Sequence, residues 1–112
     1  MSNAVSKTLS DIKRLGGLSG VDVANITDVS KATVSRWSNG SSSPQPNTQL
    51  VLSDIRYVVD QLSEFYSPDE ARQWLYSRNA LLGGSSAMDM LHENRTEEVL
   101  IAIQQLADMT YV

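Results

Sequence analysis

At 112 residues, with a hydrophobic fraction of 41%, the chain holds enough apolar material for one packed core or two small cooperating ones, and too much for a disordered segment. It has no cysteine, which excludes disulfides and thiolate metal sites, and no apolar run near the ~20 residues of a membrane span or resembling a signal peptide, so a cytoplasmic location away from membranes is expected. The net charge of −4 hides a polarity: residues 1–48 carry five basic side chains (Lys7, Lys13, Arg14, Lys31, Arg36) against three acidic ones, a net +2, whereas residues 49–112 carry four basic against ten acidic, a net −6.

Val5, Leu9, Ile12 and Leu15 recur at helical spacing and predict a first helix that Gly16 and Gly17 end. The run LSGVDVANITDVSKATVSRWSNG, residues 18–40, has the spacing of a helix-turn-helix. Its first helix starts near Gly20 and carries the small Ala24 at the crossing point. Asp28 sits at the turn, where the backbone often needs positive φ; Gly is usual there, and Asp is tolerated. Ser30 caps the second helix, Val34 and Trp37 face inward three residues apart, and Asn39-Gly40 is a left-handed stop.

Residues 41–47 (SSSPQPN) read as a polar linker, followed by a long helix over about 48–66 with the stripe Leu52, Ile55, Val58, Val59, Leu62 and Phe65. That stripe is wide enough for more than one neighbour and is a candidate for self-association. Ser67-Pro68-Asp69-Glu70 is a capping box that opens a helix through Trp74, Leu75 and Tyr76. Residues 79–85 break the pattern, Ser86 caps a short helix through Met88 and Met90, and Asn94 stops it. Thr96, Glu97 and Glu98 start a last helix with Val99, Leu100, Ile103 and Leu106 on its buried face. No segment alternates with period two, so the expected fold is all-α.

On this reading the second helix of the motif enters the major groove of DNA. Arg36 suits a two-pronged contact with guanine, Lys31 a guanine or a phosphate, and Ala32 a thymine methyl. Ser30, Ser35 and Asn39 are short hydrogen-bonding residues suited to phosphates. Thr33 faces either the groove or the first helix, and Trp37 reads as a plug between helices. Five basic residues make a small electrostatic footprint, so two or more copies acting together on operator DNA are expected. Met88 and Met90 read as core, and the lone His92 as a surface residue. No nucleophile–base pair, metal-ligand cluster or phosphate-binding glycine loop is present, which leaves no basis for an enzyme, a metal or a cofactor.

The back half carries a more specific pattern: Trp74-Leu75, Asn79, ALLGG (80–84), Ser85-Ser86, MDML (88–91) and EEVLIAI (97–103). This resembles the C-terminal domain of the MbcA/ParS/Xre antitoxins, whose front half is a helix-turn-helix, so the resemblance spans nearly the whole chain. Two positions depart from the usual pattern: Ser86-Ala87 replaces a Ser-Pro, and Asn94-Arg95 stands where a Gly is usual. The resemblance implies a division into a DNA-binding region (1–47), a central helix (48–66) and a toxin-binding region (67–112). It also implies a partner, a RES-domain toxin that consumes NAD, inhibited by the C-terminal part of the antitoxin laid over its active-site entrance. Met109, Thr110, Tyr111 and Val112 form an apolar, aromatic tail suited to such a plug; the other reading is that the tail packs back on the last helix. The alternative function is a stand-alone repressor whose back half only mediates oligomerisation.

Overall fold

The computed structural model describes residues 4–110, which form seven α-helices and one 3₁₀ turn and, among the described residues, no strand. Helix α1 (Ala4–Gly16) buries Leu9 and Ile12 and lies along α4 (Pro46–Leu62), the longest element. Close approach is possible because Gly16 faces Val59: a Cβ there would come within 2.3 Å of the valine Cγ1. Gly17, at φ +65°, ends the helix with its backbone against the Pro68 carbonyl, where a side chain has neither the space nor the conformation.

Helices α2 (Gly20–Thr27) and α3 (Lys31–Asn39) meet at a corner made by Asp28, left-handed at φ 57°. Ala24, Val34 and Trp37 are buried there as their spacing predicts, and Ser30 caps α3 by accepting the Thr33 N–H at 3.1 Å. The next helix starts two residues earlier than its apolar stripe suggests, because Pro46 occupies its first position, where the missing N–H costs nothing. It also ends earlier, at Leu62. Leu52, Ile55, Val58, Val59 and Leu62 are fully buried within the chain, whereas Phe65 lies in the following turn and is half-buried.

Helix α5 (Pro68–Tyr76) opens on the expected capping box: Glu70 accepts the Ser67 N–H at 2.9 Å and the Ser67 hydroxyl accepts the Glu70 N–H at 3.3 Å. The break after it is an ordered loop. The Asn79 side chain accepts the Leu81 N–H, the Asn79 carbonyl accepts the Gly84 N–H, and the 3₁₀ turn Ala80–Leu82 drives Leu82 into the core. An isolated antiparallel bridge between Arg78 and Ser86 closes the loop.

Ser86 then caps α6 (Ala87–His92), with Ala87 fully buried at its first position and Met88 and Met90 in the core. Asn94 adopts φ 60°, the left-handed conformation for which Gly is the usual residue. Helix α7 (Thr96–Thr110) packs on α4 and α6 through Val99, Ala102 and Ile103, while Leu100 and Leu106 are half-buried. None of these helices is long and apolar enough to cross a membrane.

Candidate nucleic-acid interface and partner surface

The α2–α3 corner sorts the residues of α3 by face. Val34 and Trp37 point inward, and Lys31, Ala32, Ser35, Arg36 and Asn39 are all exposed, as is Ser30 at the cap. The six residues expected to contact DNA thus share one solvent-facing surface. Arg36 Nη2 donates to Thr33 Oγ1 at 3.0 Å, and that hydroxyl also exchanges a hydrogen bond with Ser30. Thr33 therefore ties the cap to the arginine. Asn39 Oδ1 accepts from the Ser41 N–H and hydroxyl.

Two buried carboxylates hold this corner to the rest of the chain. Asp22, on α2, is 3% exposed. It accepts Arg72 Nη1 at 2.5 Å and the Ser19 N–H at 2.7 Å, and it also accepts the Tyr76 hydroxyl. Arg72 adds a bond to the Gly17 carbonyl at 3.1 Å and lies 4.8 Å from the centroid of the Tyr76 ring. Burial pushes the Asp22 carboxyl up, but the hydrogen bonds from Arg72, Tyr76 and Ser19 outweigh it and hold the group below the usual carboxylate range. The Tyr76 hydroxyl moves the other way, pushed up to about 12 by burial and then by its bond to the Asp22 carboxylate.

Asp11, on α1, accepts Arg14 at 2.9 Å and Arg56 of α4 at 3.0 Å, with Lys7 at 3.7 Å. The bonds from Arg14 and Arg56 hold its carboxyl low. A third, exposed contact joins the corner to the back half: His92 Nε2 and Asp28 Oδ1 are 2.9 Å apart, and this hydrogen bond raises the imidazole pKa above its ordinary value.

None of these three links is visible as a motif. Two of the carboxylates do carry a local signal: Ser19-x-x-Asp22 repeats the Ser-x-x-acid pattern of a helix start, and Asp11 stands four residues after Lys7 and three before Arg14 on α1. The lone His92 is on the surface as expected, but it has a specific partner 64 residues away.

Of the four tail residues, Met109 is 66% exposed on the last turn of α7, and Thr110 is the final residue of that helix. Tyr111 and Val112 lie outside the described residues. The back half also exposes Tyr57, Leu81 and Ile101, which composition alone does not distinguish from core positions. Between α4 and α7 runs a cleft of about 330 Å³ lined by Tyr57, Phe65, Leu100, Ile103 and Ala107 with Gln61, Glu64 and Gln104 at its polar edge.

The chain is 33% identical over 111 residues to the mycobacterial cidal antitoxin MbcA of Mycobacterium bovis and of Mycobacterium tuberculosis, covering 98% of this chain and 97% of the relative. A probable mycobacterial cidal antitoxin of M. tuberculosis is 34% identical over 96 residues, which cover 86% of this chain and 82% of the relative. Among solved structures, a chain in the crystal structure of the M. tuberculosis MbcT–MbcA toxin–antitoxin complex matches with a TM-score of 0.84 at 33% identity, covering 98% of this chain and 99% of that one. No protein-family model matches.

Proposed function

Because this chain belongs to the MbcA family of antitoxins, we propose that it binds and neutralises a RES-type, NAD-consuming toxin and represses its own operon through a helix-turn-helix formed by α2 and α3. The observation that carries the first part is the end-to-end likeness to an antitoxin crystallised with its toxin, in sequence and in the placing of helices. The likeness covers both halves, so it is more than a shared DNA-binding motif.

Toxin contact is assigned to the back half, with Met109, Thr110, Tyr111 and Val112 at or near the toxin's active-site entrance. The exposed Met109 supports this, and the acidic surplus of residues 49–112 suits a basic toxin surface. Operator contact is assigned to Ser30, Lys31, Ala32, Ser35, Arg36 and Asn39, supported by their common exposed face. Few cations serve that face, so the chain acts as a dimer or as a higher assembly with the toxin. Self-association through α4 falls to the exposed Leu50 and Tyr57, since the broad stripe is buried within the chain. The antitoxin itself carries out no catalysis and takes no cofactor.

Co-expression tests the neutralising part. The chain restores growth to cells arrested by the RES-domain protein encoded beside it; continued arrest, with both proteins soluble, overturns the reading.

A further inference from the structure

The cations of the chain divide sharply by whether a carboxylate holds them. Lys7, Arg14 and Arg56 converge on Asp11, Arg72 is bound by Asp22, and Arg95 sits between Glu93 and Glu98. Lys13, Lys31, Arg36 and Arg78 have no carboxylate partner among the described residues. Three of those four lie on the first three helices, and two belong to the face already assigned to DNA.

Lys13 is the third, and it is not stranded on an open helix. It lines a cleft of about 390 Å³ between α1, the start of α2 and the end of α3, together with Ser6, Ser10, Ser19 and Ser38. Ser6, Ser10 and Lys13 follow one another at i, i+4 and i+7 on one face of α1. Ser6 and Ser19 are engaged, Ser6 with the Trp37 and Ser38 carbonyls and Ser19 with Asp22. The hydroxyls of Ser10 and Ser38 make no hydrogen bond among the described residues.

The third wall decides what the cleft is for. Ser38 follows Lys31 and Ser35 at i+7 and i+3, so the cleft continues the flank of α3 that carries those two residues. An ammonium group without a counter-ion and two free hydroxyls, at the rim of a surface that reads DNA, suit a singly charged phosphodiester. Asp22, which bonds Ser19 of the cleft wall, is already paired with Arg72. The geometry points to this cleft as a DNA-backbone cradle, in which Lys13, Ser10 and Ser38 hold one phosphate beside the bases reached by α3. Lys7 and Arg14, which have the same charge and stand on the same helix, take no part, because Asp11 holds them.

This assignment rests on the proposed DNA binding, and one experiment separates the two. Fluorescence anisotropy of the full chain is measured as a function of salt on two labelled duplexes, the region upstream of its own gene and an unrelated sequence. Lys13→Gln weakens binding to both duplexes by the same factor and lowers the slope of log K against log salt by about 0.9 for each copy of the chain on the duplex. Lys7→Gln leaves the slope unchanged. Ser10→Ala with Ser38→Ala weakens both duplexes without changing the slope. An unchanged slope for Lys13→Gln, alongside weakened binding by Arg36→Ala, overturns the cradle and leaves the DNA reading standing. Failure of the unaltered chain to bind either duplex at low salt overturns both.

Discussion

The front and back of this molecule use the same kinds of charged residue to opposite ends. In the back half Arg56, Arg72 and Arg95 are each consumed by a carboxylate, while Asp54, Glu64, Asp69 and Glu97 remain exposed without an ion-pair partner among the described residues. In the front half the carboxylates are the consumed groups: Asp11 and Asp22 are buried under arginines from α4 and α5, and Asp28 faces His92. The exposed front cations without a carboxylate partner among the described residues are Lys13, Lys31 and Arg36, while Lys7 and Arg14 are exposed but paired with Asp11. The polarity counted along the chain is therefore sharpened by folding, because the Asp11–Arg56 and Asp22–Arg72 pairs join minority charges of the two halves to each other. A net charge of −4 says little about a protein whose two surfaces differ this much.

Perturbing the joint between the halves gives the largest effects. Trp37→Ala removes the plug of the α2–α3 corner, which is 4% exposed, and is expected to cost about 3–5 kcal/mol in chemical denaturation. It abolishes operator binding along with the fold. Asp22→Ala leaves Arg72 and Tyr76 without their shared acceptor and is expected to cost about 2–3 kcal/mol, moderated because Arg72 is partly exposed and regains water. The Asp22 carboxyl is lower in the folded chain than when free, so its contribution is present above its ordinary pKa of 3.8 and is lost as pH falls through the lowered value. Urea midpoints measured on the acid limb should show a shallower loss for the variant.

Two changes separate the surfaces without disturbing the joint. Arg36→Ala is expected to reduce operator affinity by about 1–3 kcal/mol in a gel-shift titration while leaving the melting temperature nearly unchanged, because its partner Thr33 is at the surface. An unaltered shift would remove Arg36 from the base-reading set. Deletion of residues 109–112 is expected to weaken toxin binding by at least about tenfold, or ~1.4 kcal/mol, with operator binding retained. Equal loss of both would show that the tail supports folding instead.

The smallest effect concerns the exposed His92–Asp28 contact. The folded pKa of His92 lies above the ordinary value of 6.5, so the contact is fully present below that value and is lost as pH rises through the folded pKa. His92→Gln should flatten this part of the pH–stability curve near neutrality and leave the acid limb unchanged.

Local rules carry much of this protein. Periodicity, the caps Ser30, Ser67 and Ser86, and the stops at Asp28, Gly40 and Asn94 each depend on a few neighbouring residues, so the all-α fold and the inward placing of Val34 and Trp37 are legible in the sequence alone. The pattern across residues 74–103 is likewise local enough to carry the resemblance to the antitoxin family by sequence alone. The ends of α4 were less legible, because its apolar stripe runs on into the turn that holds Phe65 while Pro46 starts the helix ahead of the stripe.

Only the tertiary structure decided which charges are available. Asp11 meets Arg56 across 45 residues, Asp22 meets Arg72 across 50, and His92 meets Asp28 across 64. No local pattern encodes such pairs, since each depends on how whole helices dock. On α1, Lys7 and Arg14 stand at i,i+4 and i,i+3 spacing from Asp11, a local pairing the sequence itself offers, and Lys13 does not. Docking of α1 on α4 buries that carboxylate and adds Arg56 to it, while Lys13 is left lining an uncommitted cleft between α1 and the α2–α3 corner.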